Sequence, residues 1–215
     1  NIQYAPQEKP QGLAQSLLIG EPFIGGGQTC LILGDNIFYG HSLTSVLQSA
    51  RDGLDGAVIF GYPVKNPQAY GVVEFDSENR VLSLEEKPEN PKSNCAVPGL
   101  YFYDGAAAEI AKHVRPSPRG ELEITAVNQE YLRQGRLKAT LFGRGIAWLD
   151  TGTPEGMLKA SEYVEAVQSR QGFYISCIEE IAWRRGFIST EQLCRLGEAA
   201  KSTDYGKYIL SLIGG

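Results

Sequence analysis

The sequence predicts an α/β domain with a mixed, mainly parallel sheet, helices on both faces and a C-terminal helical appendage. Three observations carry that expectation. The runs Thr29-Cys30-Leu31-Ile32-Leu33 and Ala57-Val58-Ile59-Phe60-Gly61-Tyr62 are apolar on both faces, the pattern of central strands covered by helices. A segment between them carries Leu43, Val46 and Leu47 at helical spacing, giving strand, helix, strand and hence a right-handed crossover. After Gly172 the texture shifts to short helices alone.

The elements follow in order. A helix over 12–19 has Leu13, Leu17 and Leu18 at helical spacing, and Gly25-Gly26-Gly27 breaks the chain before the first strand. Gly34 ends that strand, and Ser42 is placed to cap a helix running to about Arg51. Pro63 stops the second strand. Strands over 72–75 and 81–86 flank Asp76-Ser77-Glu78-Asn79, a turn-forming set that predicts a hairpin. A strand over 96–103 has Gly99 at its centre; helices over 106–114 and 123–134 and strands over 137–142 and 147–149 complete the sheet domain. Thr153 is the expected cap of a long helix with Pro154 at its first position, running to about Arg170. Helices over 178–185, 190–197 and 205–213 form the appendage, so the boundary is placed near residue 172, giving 1–172 and 173–215.

Composition narrows the class without naming a function. The 215 residues are 42% hydrophobic and 21% charged, ordinary globular values. A net charge of -5 gives no bulk attraction to nucleic acid or anionic membrane, while leaving room for a local basic pocket. Cys30, Cys95, Cys177 and Cys194 are scattered, and only His41 and His113 could join them, so a zinc site is a poor reading. Buried free thiols in a reducing cytoplasm account for them better. No apolar run approaches the ~20 residues of a membrane helix, and residues 1–4 carry no signal-peptide pattern. The expectation is a soluble cytoplasmic protein.

In open α/β sheets, ligands bind beyond the carboxyl ends of the strands. Asp35 follows Gly34 at such an end and Asn36 adds a second polar group. Its carboxylate could hold Mg²⁺, which takes few protein ligands and leaves room for substrate phosphates, or could serve a turn. Asp150, before Thr151-Gly152-Thr153-Pro154, has the same placement and the same two readings, a cation or the start of a helix. Along 81–87, Leu82, Leu84 and Glu86 share one face, so Glu86 is a carboxylate on an apolar face that needs partners such as sugar hydroxyls. Lys87, stopped by Pro88, suits a point-charge contact to phosphate; a solvated Glu85-Glu86-Lys87 run is the plainer alternative. Gln7 could read a nucleobase edge and Gly12 could admit a flat ring against backbone, or both could belong to an ordinary helix start.

Together these segments resemble the sugar-1-phosphate nucleotidyltransferases, most closely the glucose-1-phosphate thymidylyltransferases. The resembling stretches include residues 4–15, Leu33-Gly34-Asp35-Asn36-Ile37-Phe38-Tyr39-Gly40 and Tyr70-Gly71-Val72-Val73-Glu74-Phe75. They continue through Ser83-Leu84-Glu85-Glu86-Lys87-Pro88, Gly99-Leu100-Tyr101-Phe102-Tyr103, Arg119-Gly120-Glu121-Leu122-Glu123-Ile124-Thr125 and Trp148-Leu149-Asp150-Thr151-Gly152-Thr153. The tail segment from Cys177 to Ile188 looks like the same family's C-terminal helices.

The resemblance implies a Rossmann-like sheet and a reaction that joins dTTP and glucose 1-phosphate into dTDP-glucose and pyrophosphate, the first step of dTDP-rhamnose biosynthesis. It implies Mg²⁺ on Asp35 and Asp150, the sugar phosphate on Lys87, and a sugar pocket shaped by Glu86, Gly71 and Val97 with Tyr101 near it. Asn36, Tyr70 and Trp148 join the substrate-binding set, and Gln7 and Gly12 receive thymine. It further implies a homotetramer inhibited by a downstream dTDP-sugar at Gly40, His41, Glu180, Ile181 and Arg184. The family opens with a strand and a Gly-rich loop ending in Thr-Arg-Leu, and no Gly-x-Gly-Thr-Arg occurs here. Gly25-Gly26-Gly27 precedes a strand and is no substitute. The expectation is therefore an N-terminally truncated domain that, by itself, turns over no substrate. UTP in place of dTTP, another sugar, or a sugar-nucleotide-binding fragment without catalysis are the alternatives.

Overall fold

The computed structural model describes residues 2–78 and 80–214. In chain order the elements of the first part are α1 (Gln15–Ile19), α2 (Glu21–Ile24), β1 (Thr29–Ile32), β2 (Asn36–Gly40), α3 (Leu43–Asp52), β3 (Ala57–Pro63), β4 (Gly71–Phe75) and β5 (Val81–Glu86). There follow β6 (Cys95–Ala96), β7 (Leu100–Tyr103), α4 (Ala107–His113), α5 (Ile124–Arg133), β8 (Leu137–Leu141) and β9 (Ile146–Asp150). Then come α6 (Pro154–Gln171), α7 (Ile178–Arg184), α8 (Thr190–Ala199) and α9 (Asp204–Ser211).

The sheet runs β1-β7-β3-β6-β4-β5, with β8 beside β3, and β2 pairs with β9 in a separate ribbon. Alternation along β3 shows why the sheet is covered on both faces. Ala57 and Ile59 point into a core formed with Leu17 of α1, Ala107 and Ala111 of α4 and Val127 and Tyr131 of α5. Val58 and Phe60 point into the opposite core with Ala50 of α3, Phe142 and Ile146. Period-two alternation therefore feeds two cores from one strand.

Several expectations need correction. The sheet is mixed but not mainly parallel: among the described residues, β3–β8 is the one parallel pair of neighbours. β1, β3 and β8 do share a direction, but β7 runs antiparallel between β1 and β3. After β3 the chain passes through the β4–β5 hairpin and returns without a helical crossover, and such a return enters a sheet antiparallel. β1 is not central either; it stands at the end of the strand order, with Cys30 and Ile32 exposed. Cys194 is exposed as well, so only Cys95 and Cys177 are the buried thiols expected. The strand expected over 96–103 is two strands, because Pro98 lacks an N–H and Gly99 accepts the side chain of Leu33 where a Cβ would stand. The hairpin forms as expected, although Asn79 of its turn lies outside the described residues. Ser42 precedes α3 without capping it through its side chain, whereas Thr153 does cap α6, accepting from Gly156 N at 3.0 Å.

The chain divides into two units, Asn1–Asp150 and Thr151–Gly215. The long helix α6 thus belongs with the C-terminal helices rather than ending the first domain near residue 172. The second unit closes on Cys177, Leu193 and Ile209, with Tyr174, Trp183 and Tyr205 packed around them. Among the described residues, no helix is long and apolar enough to cross a membrane.

Candidate active site at the strand ends

The β2–β9 ribbon brings two distant aspartates together. Its register sets Asn36 opposite Asp150, and Asp35 lies one residue earlier, so both carboxylates arise at the same end of the ribbon. Asn36 is the junction. Its Oδ1 accepts from Trp148 Nε1 at 2.7 Å and from Gly99 N at 3.0 Å, and its Nδ2 donates to Asp35 Oδ1 at 2.8 Å. Trp148 stands between Tyr70 and Tyr62, with ring centroids 5.0 and 5.6 Å away, which makes an aromatic wall.

Strand β5 delivers Glu86 and Lys87. Glu86 sits opposite Gly71 in the β4–β5 register. Thr125 Oγ1 donates to its Oε2 at 2.5 Å, and Arg119 Nη2 lies 3.6 Å from its Oε1. These partners, not an apolar face, hold the carboxylate; Leu82 of the expected stripe is exposed. A Cβ on Gly71 would come within 3.2 Å of Thr125 Oγ1 and 3.3 Å of Glu86 Oε2, so glycine leaves the pair undisturbed. Lys87 has φ +42°, a left-handed conformation that strains any residue bearing a Cβ. Its N–H donates to Tyr70 O at 3.0 Å, fixing the strand end in that pose. Strain of this kind gathers at functional positions.

These groups line one cavity of about 250 Å³. Of the residues expected at a site, it gathers Asp35, Asn36, Tyr70, Gly71, Glu86, Lys87, Val97, Tyr101, Trp148 and Asp150. Burial and then the charge of Glu86 push the phenol of Tyr101 well above its usual range. Burial and then Asp150 push Tyr70 in the same direction. The lining also includes Arg119, Glu121, Glu123 and Thr125, which received no role from sequence. A signal for them existed: Glu123 is a carboxylate at a helix start where a short polar cap is the norm. The lining thus holds five carboxylates against two cations, Lys87 and Arg119.

Other expected residues lie elsewhere. Gln7 and Gly12 are not part of this lining; the Gln7 amide donates to Gly12 O at 3.1 Å and Gln15 Oε1 at 2.6 Å. Gly12 has φ +107°, and a Cβ there would stand 2.4 Å from Leu122 O, so the close approach of another backbone segment accounts for this glycine. Gly40 and His41 belong to the first unit, at the end of β2, whereas Glu180, Ile181 and Arg184 sit on α7 of the second. Within α7, Arg184 Nε donates to Glu180 at 2.7 Å, and Tyr208 OH of α9 also donates to Glu180.

The sequence model of the nucleotidyl transferase family matches residues 1–167. The glucose-1-phosphate thymidylyltransferase of Neisseria gonorrhoeae is 52% identical over 213 residues, covering 99% of this chain and 74% of that protein. That of Xanthomonas campestris pv. campestris (strain B100) is 53% identical over 212 residues, covering 99% and 72%. This chain belongs to the glucose-1-phosphate thymidylyltransferase family. Among solved structures, a glucose-1-phosphate thymidylyltransferase from Bacillus anthracis in complex with sucrose matches with a TM-score of 0.64 at 36% identity. The match covers 73% of this chain and 62% of that one. A UDP-glucose pyrophosphorylase complexed with UDP-glucose matches with a TM-score of 0.65 at 27% identity, covering 75% and 65%. The chain therefore spans about three quarters of the thymidylyltransferase sequences and less than two thirds of these solved chains. The mixed sheet with helices on both faces is the nucleotidyltransferase fold of this family.

Proposed function

We propose that the cleft is the sugar 1-phosphate half of a thymidylyltransferase site, in a reaction joining dTTP and glucose 1-phosphate into dTDP-glucose and pyrophosphate. The observation that carries this reading is the meeting of Glu86, Lys87, Arg119, Asp35 and Asp150 in one cavity. An ammonium and a guanidinium suit a phosphate, while a carboxylate already fixed by a hydroxyl suits sugar hydroxyls. In the reaction an oxygen of the sugar phosphate forms a bond to the α-phosphorus, and the bond from that phosphorus to the bridging oxygen breaks as pyrophosphate leaves. No covalent enzyme intermediate is needed, so the residues work by positioning and charge. Lys87 and Arg119 hold the attacking phosphate, Glu86 and Thr125 orient the sugar, and Tyr70 and Trp148 wall the cleft against water.

The donor set fits Mg²⁺. Asp35 and Asp150 stand at one ribbon end, and among the described residues no group of three or more His, Cys, Asp and Glu gathers as a closed metal cage. One or two carboxylates plus substrate phosphates is the usual Mg²⁺ environment. A Mg²⁺ held there would neutralise charge on the reacting phosphates. The surplus of carboxylates over cations in the lining favours a bound cation as well.

Calorimetry with glucose 1-phosphate tests the reading. Saturable binding that Lys87→Met abolishes supports it, and binding of dTTP without any binding of the sugar phosphate overturns it. Pyrophosphate release measured beside it with dTTP and with UTP separates catalysis from binding alone and fixes the base. Self-association is part of the same proposal, supported by Ile178, Ile181 and Phe187, large apolar side chains exposed on the second unit. So is feedback inhibition by a dTDP-sugar, tested by adding that product to the release assay.

A further inference from the structure

Glu123 is the buried carboxylate of the cleft, 8% exposed. Its Oε1 accepts from Ser117 Oγ at 2.9 Å, Arg119 Nε at 3.2 Å and Arg119 Nη2 at 2.8 Å. It occupies the residue before α5 yet makes no side-chain cap bond, so the helix does not explain it. Burying a carboxylate is costly unless charged partners meet it, and Arg119 is that partner. The other carboxylates near this guanidinium, Glu86 and Glu121, stand 3.6 Å from Nη2, beyond hydrogen-bond distance. The two-nitrogen grip of Glu123 therefore sets the direction of Arg119. Glu86 and Glu121 are equally near as competing anions, and without Glu123 a closer pairing of Arg119 with Glu86 would draw both the cation and the carboxylate away from the substrate.

We propose that Glu123 is a positioning residue for sugar 1-phosphate binding: its two-nitrogen grip keeps Arg119 from closing further on Glu86 and aims it, with Lys87, at the phosphate. The inference rests on the glucose 1-phosphate reading above. Its ring of contacts is local. Ser117 N donates to Glu121 O at 2.8 Å, Arg119 N donates to Ser117 Oγ at 3.2 Å, and Gly120 takes φ +78° to close the turn.

The test uses this chain, ¹⁵N-labelled, with the Arg119 Nε–H resonance assigned through Arg119→Lys. In wild type that resonance should be slow to exchange and shifted by its carboxylate partner. Glu123→Gln should move it and weaken glucose 1-phosphate binding by about tenfold or more, since a charge-assisted grip becomes a neutral one. Glu123→Asp, which keeps the charge at shorter reach, should restore part of the affinity. Unchanged affinity in Glu123→Gln, or an unmoved Nε–H resonance, overturns the proposal. Should Glu123→Gln not fold, Ser117→Ala loosens the same carboxylate, and the same two readouts decide. If wild type binds no glucose 1-phosphate, the substrate reading fails. The positioning role is then judged by whether inorganic phosphate shifts the Arg119 resonance in wild type and not in Glu123→Gln.

Discussion

Trp148 donates its indole N–H to the side-chain oxygen of Asn36 at 2.7 Å, across 112 residues of sequence. The backbone N–H of Gly99 meets the same oxygen, and neither donor can act as an acceptor, so the Asn36 amide has one orientation. Its NH₂ consequently faces Asp35. Trp148→Phe removes one of the two donors that fix this orientation. The expected result is a stability loss of about 1 kcal/mol, the net worth of one such bond, and weaker use of glucose 1-phosphate. Denaturant unfolding and sugar-phosphate titration measure the two effects separately.

Lys87 carries backbone strain at φ +42°. Lys87→Gly should therefore be more stable than Lys87→Ala by about 1 kcal/mol, since only glycine takes this conformation without penalty. Both variants should lose glucose 1-phosphate binding. Equal unfolding free energies would remove strain from the account of this position.

Gly71 faces Thr125 Oγ1 and Glu86 Oε2 at distances that leave little room for a methyl group. Gly71→Ala should part that pair by a few tenths of an ångström. Weaker binding of the sugar phosphate, several-fold in affinity, is expected with little change in the thermal midpoint, because the crowding falls on cleft side chains. Calorimetry and thermal unfolding on the same preparations check it.

Asp35→Asn and Asp150→Asn should each weaken Mn²⁺ binding, read as the free-ion signal in electron paramagnetic resonance. Chelation of the cation should leave the folded structure unchanged, because the ribbon between them is held by its backbone register and by Asn36. An unaltered Mn²⁺ isotherm in both variants would send these aspartates back to the turn and helix-start readings.

Glu130 gives a pH prediction. The hydrogen bond from Arg133, then that from Gln134, holds its carboxyl at about 2, below the ordinary 4.5. A depressed folded value means the contribution is present above pH 4.5 and is lost as the pH falls toward 2. Glu130→Gln should lose less stability than wild type across that window, and the difference should shrink in high salt because the pair is at the surface. Acid unfolding curves at two ionic strengths measure it.

The sequence by itself determined the features whose causes are local. The two-faced apolar run of β3, the hairpin of β4 and β5, the Thr153 cap and the glycine or proline punctuation follow from period and turn chemistry within a few residues. It also placed Asp35 and Asp150 at strand ends where ligands gather, and put Glu86 and Lys87 in the same set. Tertiary structure alone decided which of these meet. Strand β2 shows no alternation that would reveal it, and it exists because β9 pairs with it from more than a hundred residues away. Sheet direction was hidden for the same reason: β7 is antiparallel to β1 and β3 because of the route of the chain between them, which no residue of β7 encodes. Arg119 and Glu123, four residues apart, look like an ordinary surface pair in sequence. Folding buries one and aims the other into the cleft, and burial, which sets the strength of charge, is a property of the whole packed structure.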